Sequence, residues 1–146
     1  MANRELLDVL NQGVARWNQW RKEHAAIQPD LTRANINGAS LSDADLHEVD
    51  FRRANLSGAN LSGVNLGDAN LSDADLRGVN LSDVNLSHVN LSHVNLSYAS
   101  MGWTVLGDVD LSVVLPLMTV DNSDFSPSRL TAVNAIIGVS HALVQK

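Results

Sequence analysis

The sequence predicts a mainly β fold in which a five-residue unit repeats and stacks into a solenoid, with helical segments closing its ends. Three observations carry this prediction. Stepping by five from Leu31 to Leu111 meets seventeen apolar residues, fourteen of them Leu, the others Ile36, Phe51 and Met101. Two residues before each, from Ala34 to Val109, stands Ala or Val, with Thr104 the one exception. The flanks lack this period and carry apolar residues at helical spacings instead.

Within the repeat, a period of five suits neither a helix face at 3.6 nor a long strand at 2.0. The small residue and the Leu are two apart, which is strand spacing, so both can point to one side. The residue between them is Asn nine times and Asp four times from Asn35 to Asp110, with Ser40, Ser100 and Val105 as departures, and it points away. The two residues after the Leu are mostly Ser, Gly, Asp, Arg and His, types suited to turns. A bend at every fifth residue makes a polygonal coil. Stacking such coils at the ~4.8 Å inter-strand spacing pairs each backbone with its neighbours and fills the interior with Leu, Ala and Val.

Units such as Ala54-Asn-Leu-Ser-Gly58 and Ala69-Asn-Leu-Ser-Asp73 resemble the pentapeptide repeat family over residues 31–112. The resemblance implies a right-handed quadrilateral β-helix, with four pentapeptides per 20-residue turn and about four to five coils. Residues 20 apart then share an outward column. Glu48, Asp68, His88 and Asp108 form one edge; Asp43, Gly63, Asp83 and Trp103 a second; Arg33, Arg53, Asp73 and His93 a third. Asn60 stacks on Asn80, Asn65 on Asn85 and Asn70 on Asn90, where amides can bond along the column.

An open solenoid exposes unpaired backbone and a disc of Leu at each end, so caps are expected. Residues 1–28 are assigned to an N-terminal cap. Leu6, Leu10, Val14, Trp17 and Trp20 over residues 3–25 predict one amphipathic helix that Gln28-Pro29 ends, laying two Trp rings over the first coil. The stretch Val14-Ala-Arg-Trp-Asn-Gln-Trp-Arg-Lys-Glu23 is similar to the leader before some cyanobacterial pentapeptide repeats. The solenoid is expected over 29–113. Residues 114–146 are read as an irregular last coil and a helical cap: the ladder step from Leu111 to Leu115 is four, Ser126-Pro127 resembles a helix start, and Leu130, Val133, Ile137 and Val144 can form an apolar face. That helix would cover the last coil or pair with its copy in a homodimer.

Composition narrows the function. At 146 residues with 45% hydrophobic content the chain is one domain able to bury a core. With no cysteine, disulfides and thiolate metal sites are excluded. The first residues are charged and no apolar run approaches the ~20 residues of a membrane span, so a soluble, cytoplasmic protein is expected. A net charge of −6 disfavours direct nucleic-acid binding and favours a basic partner.

No catalytic, cofactor or metal site is expected. His88 and His93, with Asp68, Asp73 and Asp108 nearby, fall on adjacent edges and cannot readily share an ion; Gly38, Gly58 and Gly78 each serve a turn. A filled, convex solenoid offers no cleft for a nucleophilic triad. The candidate interaction surface is Tyr98 and Trp103, large amphipathic aromatics on a polar exterior, either meeting a partner or lying under the C-terminal segment. The acidic edge Glu48, Asp68 and Asp108 is the other candidate. The expected role is a non-catalytic interaction or scaffold module. Family resemblance supplies the alternative, a DNA mimic that binds and protects DNA gyrase, although Arg33, Arg52, Arg53 and Arg77 dilute the acidic surface.

Overall fold

The computed structural model describes residues 3–107 and Val109. Asp108 and the expected last coil and cap over 114–146 lie outside the described residues. Two short helices lead into a coil that closes on itself every 20 residues.

The period of the coil is fixed by parallel bridges, each between residues 20 apart, from Asp30 with Asp50 to Asn85 with Val105. Successive bridges are five residues apart, so one turn has four bridged sides. Each side holds a single bridging residue, and among the described residues no longer strand forms, because the chain turns again at once. At a typical bridge the residue in the following coil both donates and accepts: Asn55 N–H donates to Ala34 O at 2.8 Å, and its own carbonyl accepts from Ile36 N–H at 2.9 Å.

Nearly all the described corners are four-residue turns closed by a bond such as Ala34 N–H to Leu31 O at 3.0 Å. The third residue of the turn has a positive φ. This holds for Gly38, Gly58, Gly63 and Gly78, and equally for Arg33, Asp43, Glu48, Tyr98 and Trp103, at 57–67°. The second residue does not share it, the pattern of a type II turn. Asn or Asp in the bridging position serves that turn directly: Asp30 Oδ1 accepts from Thr32 N–H at 2.9 Å, and Asn60 Oδ1 from Ser62 N–H at 3.1 Å. The expected amide column is therefore secondary. Asn80 Nδ2 does donate to Asn60 Oδ1 at 3.2 Å, but the carboxamide oxygens are committed mainly to their own turns. This local bond is the reason Asn and Asp recur there.

Inward, the two rows interlock. Leu46, Leu56, Leu61, Leu71, Leu76, Leu81 and Leu86 are fully buried, as is Phe51. Thr104 keeps its place in the small-residue row because its hydroxyl reaches the carbonyls of Met101 at 2.7 Å and Leu81 at 2.9 Å. Val105 has no oxygen to cap the turn that follows it, and in that turn the second residue, Gly107, has a positive φ of 54°. A Cβ at Gly107 would lie 2.8 Å from the Ser87 Cβ, so a larger residue would force the two turns to shift.

The expected single leading helix is two. Helix α1 spans Arg4–Asn11 and helix α2 Val14–Glu23. Gly13 separates them with φ 109° and ψ 167°, a conformation open to glycine alone, which redirects the chain. Helix α2 also stops before Gln28-Pro29. His24 forms its C-cap, stacking on Trp20 at 4.7 Å while its Nδ1 donates to the Trp20 carbonyl at 2.9 Å.

Side chains of α2 stand in for the missing coil below the first one. Asp45 N–H donates to Asn18 Oδ1 at 2.8 Å, and Asp45 O accepts from Trp17 Nε1 at 2.7 Å. Asn18 Nδ2 donates to Asp43 O at 3.1 Å, and Arg21 Nη2 to His47 O at 3.0 Å. On the adjoining side, Asn3 N–H donates to Asp30 O at 3.0 Å. Leu6, Leu10 and Trp17 are buried against the Leu disc, whereas Trp20 is only partly covered.

Candidate interaction surface

The outward residues sit where the turns put them. A left-handed corner residue projects from the edge of the square, and its column repeats every 20 residues. Glu48 and Asp68 occupy one such column in successive coils, both exposed, with Glu48 N–H donating to Gly67 O at 2.8 Å across the two turns. His88 follows in the next coil. Asp108, expected to complete the edge, lies outside the described residues.

Tyr98 and Trp103 take successive corners of the last described coil. Tyr98 is 81% exposed and Trp103 77%. Below Tyr98 its column reads Gly78, Gly58, Gly38, and below Trp103 it reads Asp83, Gly63, Asp43. Those earlier residues suit a left-handed turn at little cost. Bulky aromatics do not: φ is 62° at Tyr98 and 59° at Trp103, a conformation that disfavours side chains of that size. Val105, 37% exposed, extends the apolar band around the same coil.

The two expected groups thus do not converge. The acidic pair lies in the first two coils and the aromatic pair in the fourth, on different corners. His88 and His93 stand on adjacent corners, as the 20-residue register requires, and among the described residues no three His, Asp or Glu side chains gather to hold a metal. Among the described residues no helix is long and apolar enough to cross a membrane.

One feature escaped sequence reading. Arg52 forks onto Asp50, and Arg77 onto Asp75, through Nε and Nη2 at 2.6–2.9 Å to the carboxylates. The side-chain bond from Arg77 holds the Asp75 carboxyl below its ordinary range, and the bond to Asp50 raises Arg52 above its own. The signal was present as Asp-x-Arg at 50–52 and 75–77. It became legible only once the turn was seen to bring residues two apart side by side.

Comparison with known proteins agrees with this architecture. The family model for pentapeptide repeats matches in eight copies over residues 30–68 and 69–108, more than half of the chain. No curated protein matches it. A pentapeptide repeat protein, Rfr23, from the cyanobacterium Cyanothece 51142 is similar at 35% identity and a TM-score of 0.58, covering 65% of this chain and 62% of that one. The chain therefore spans less than two thirds of that relative's length. A pentapeptide repeat protein from the Arabidopsis thaliana thylakoid lumen matches at 27% identity and a TM-score of 0.41, over 73% of this chain and 79% of its own. QnrB1, a plasmid-mediated fluoroquinolone resistance protein, matches at 17% identity and a TM-score of 0.24, over 76% and 66%. The 20-residue bridge register, the repeat match and the Cyanothece structure together imply a right-handed β-helix, and the chain belongs to the pentapeptide repeat family.

Proposed function

We propose that this chain is a non-catalytic interaction module that engages a protein partner through Tyr98 and Trp103. The observation that carries the reading is their position: two large aromatics, about four-fifths exposed, at corners whose backbone disfavours them. Fold stability alone selects against both the exposure and the conformation, so binding is the physical reason for keeping them. The interior is filled with Leu, Ala and Val, which supports a scaffold rather than an enzyme. A cytoplasmic location accompanies this reading. The test is retention of a partner, identified by mass spectrometry, on the immobilised chain. Loss of that partner with Tyr98→Ser or Trp103→Ser supports the surface, and undiminished retention by both variants refutes it.

A second reading, mimicry of DNA toward gyrase, rests on exposed Glu48 and Asp68 in one column. A supercoiling assay with the purified chain, with and without a quinolone, decides it. Inhibition or drug protection that is lost in Glu48→Lys supports mimicry, and the absence of any effect removes it.

A further inference from the structure

The corner formed by the turns at 31–34, 51–54 and 71–74 holds a groove of about 600 Å³ lined by Thr32, Arg33, Arg52, Arg53, Ser72 and Asp73. Between Pro29 and Gly107 the basic Arg and Lys residues are Arg33, Arg52, Arg53 and Arg77, and three of these four stand at this one corner. In an acidic chain that concentration is the opposite of an evenly solvated surface.

The three guanidinium groups are held in different ways. Arg52 is fixed by its fork onto Asp50, which orients its plane and leaves its other edge for a further acceptor. Arg53 pairs loosely with Asp73 at 3.8 Å. Arg33, one coil below Arg53 in the same column, has no carboxylate within ion-pair distance among the described residues. The backbone is left-handed at both Arg33 and Arg53, with φ 60° at each, so the two side chains leave the corner in the same direction. Like charges at the ~4.8 Å coil spacing repel, and an anion between them converts that repulsion into attraction.

Asp30 and Asp50 limit which anion gains from the site. Each turns an oxygen back to accept from its own turn, Thr32 N–H at 2.9 Å and Arg52 N–H at 3.1 Å. Asp50 offsets Arg52, and Asp73 offsets Arg53 only loosely, so the charge left for an anion rests on Arg33 and Arg53. A dianion with three equivalent oxygens can take one fork from Arg33, another from Arg53, and a hydroxyl at the rim from Thr32 or Ser72.

We propose that this corner binds a phosphomonoester dianion, carried either by a free phosphorylated small molecule or by a phosphorylated side chain of a protein. The site lies away from Tyr98 and Trp103 and does not rest on the interaction reading above.

The experiment titrates the full, ¹⁵N-labelled chain with O-phosphoserine, with a phosphoserine peptide and with the same peptide unphosphorylated, following backbone and arginine side-chain signals. Saturable shifts centred on Arg33, Arg53 and Ser72 are expected with both phosphorylated probes. Arg33→Gln should weaken binding about tenfold. Arg77→Gln, which removes an Asp-paired Arg from the next corner, should leave it unchanged. Affinity should fall below about pH 6, where the phosphate loses its second charge. A peptide about tenfold tighter than free phosphoserine identifies a phosphorylated protein as the source, and equal affinities identify a small molecule. Shifts that do not saturate, equal binding of the unphosphorylated peptide, or equal losses in Arg33→Gln and Arg77→Gln overturn the proposal.

Discussion

Replacing Asn18 by Ala should unlatch helix α2 from the first coil. The Asn18 amide replaces two contacts that a coil below would otherwise make, accepting from Asp45 N–H at 2.8 Å and donating to Asp43 O at 3.1 Å. Two neutral hydrogen bonds contribute about 2 kcal/mol in total, and leaving the part-buried Asp45 N–H without a partner adds about 1 kcal/mol. The better helix propensity of Ala returns about 0.5 kcal/mol, for a net loss of roughly 2.5 kcal/mol. For a chain of this size that is a fall in Tm of about 7 °C. Circular dichroism reads the melting, and hydrogen exchange reads the site, where the Asp45 amide should lose protection ahead of amides in the second and third coils. Asn18→Asp keeps the acceptor for Asp45 N–H but turns a carboxylate oxygen toward Asp43 O, so it should not recover the native Tm. An Asn18→Ala variant with native Tm and native protection at Asp45 would refute the account of the cap.

Two further outcomes follow from the same geometry. Tyr98→Gly should stabilise the isolated chain by about 0.5–1 kcal/mol in a denaturant titration, since a glycine relieves a left-handed strain of about 1–2 kcal/mol at the cost of its own extra unfolded-state entropy; the same variant should lose the partner. The Asp75 carboxyl, lowered by its bond to Arg77, contributes stability that is fully present above the ordinary carboxylate pKa of about 4 and is lost as pH falls through the lower folded value. Arg77→Gln should flatten that part of the pH–stability profile by lowering stability slightly at neutral pH and leaving the acid end unchanged, because the pair is largely exposed, as measured by denaturation midpoints from the acid range to neutrality.

Much of the fold is legible in the residues because the period does the work of a tertiary contact. Once Leu31, Ile36 and Leu41 are known to face inward, Thr32-Arg33 and Asn37-Gly38 have nowhere to go but the corners. Corner backbone was harder to read. Glycine at 38, 58, 63 and 78 hinted at positive φ, yet Glu48, Tyr98 and Trp103 adopt it too; at Glu48 the N–H is held by Gly67 O, and the turn at Tyr98 is capped by Asn95 Oδ1 accepting from Ser97 N–H. The break at Gly13 was missed because Leu6, Leu10, Val14 and Trp17 keep an unbroken helical spacing across it. The candidate surface residues do not form one unit. Tyr98 and Trp103 share one coil, while Glu48 and Asp68 lie two coils or more away.

By itself the sequence determined the repeating unit, the composition of the interior and the polar identity of every outward row, since a five-residue period with a fixed small residue and a fixed Leu admits one inward side. Tertiary structure alone decided what the rows do to one another. Asp50 and Asp75 clamp arginines two residues on because each carboxylate also accepts from the backbone N–H of that arginine, folding the two side by side. Three arginines from two successive turns line one groove because the coil closes after 20 residues, and Asn18, Trp17 and Arg21 become backbone surrogates because an end coil has no neighbour. Each of these depends on which backbone groups remain unpaired after stacking, a property of the closed coil and not of any single pentapeptide.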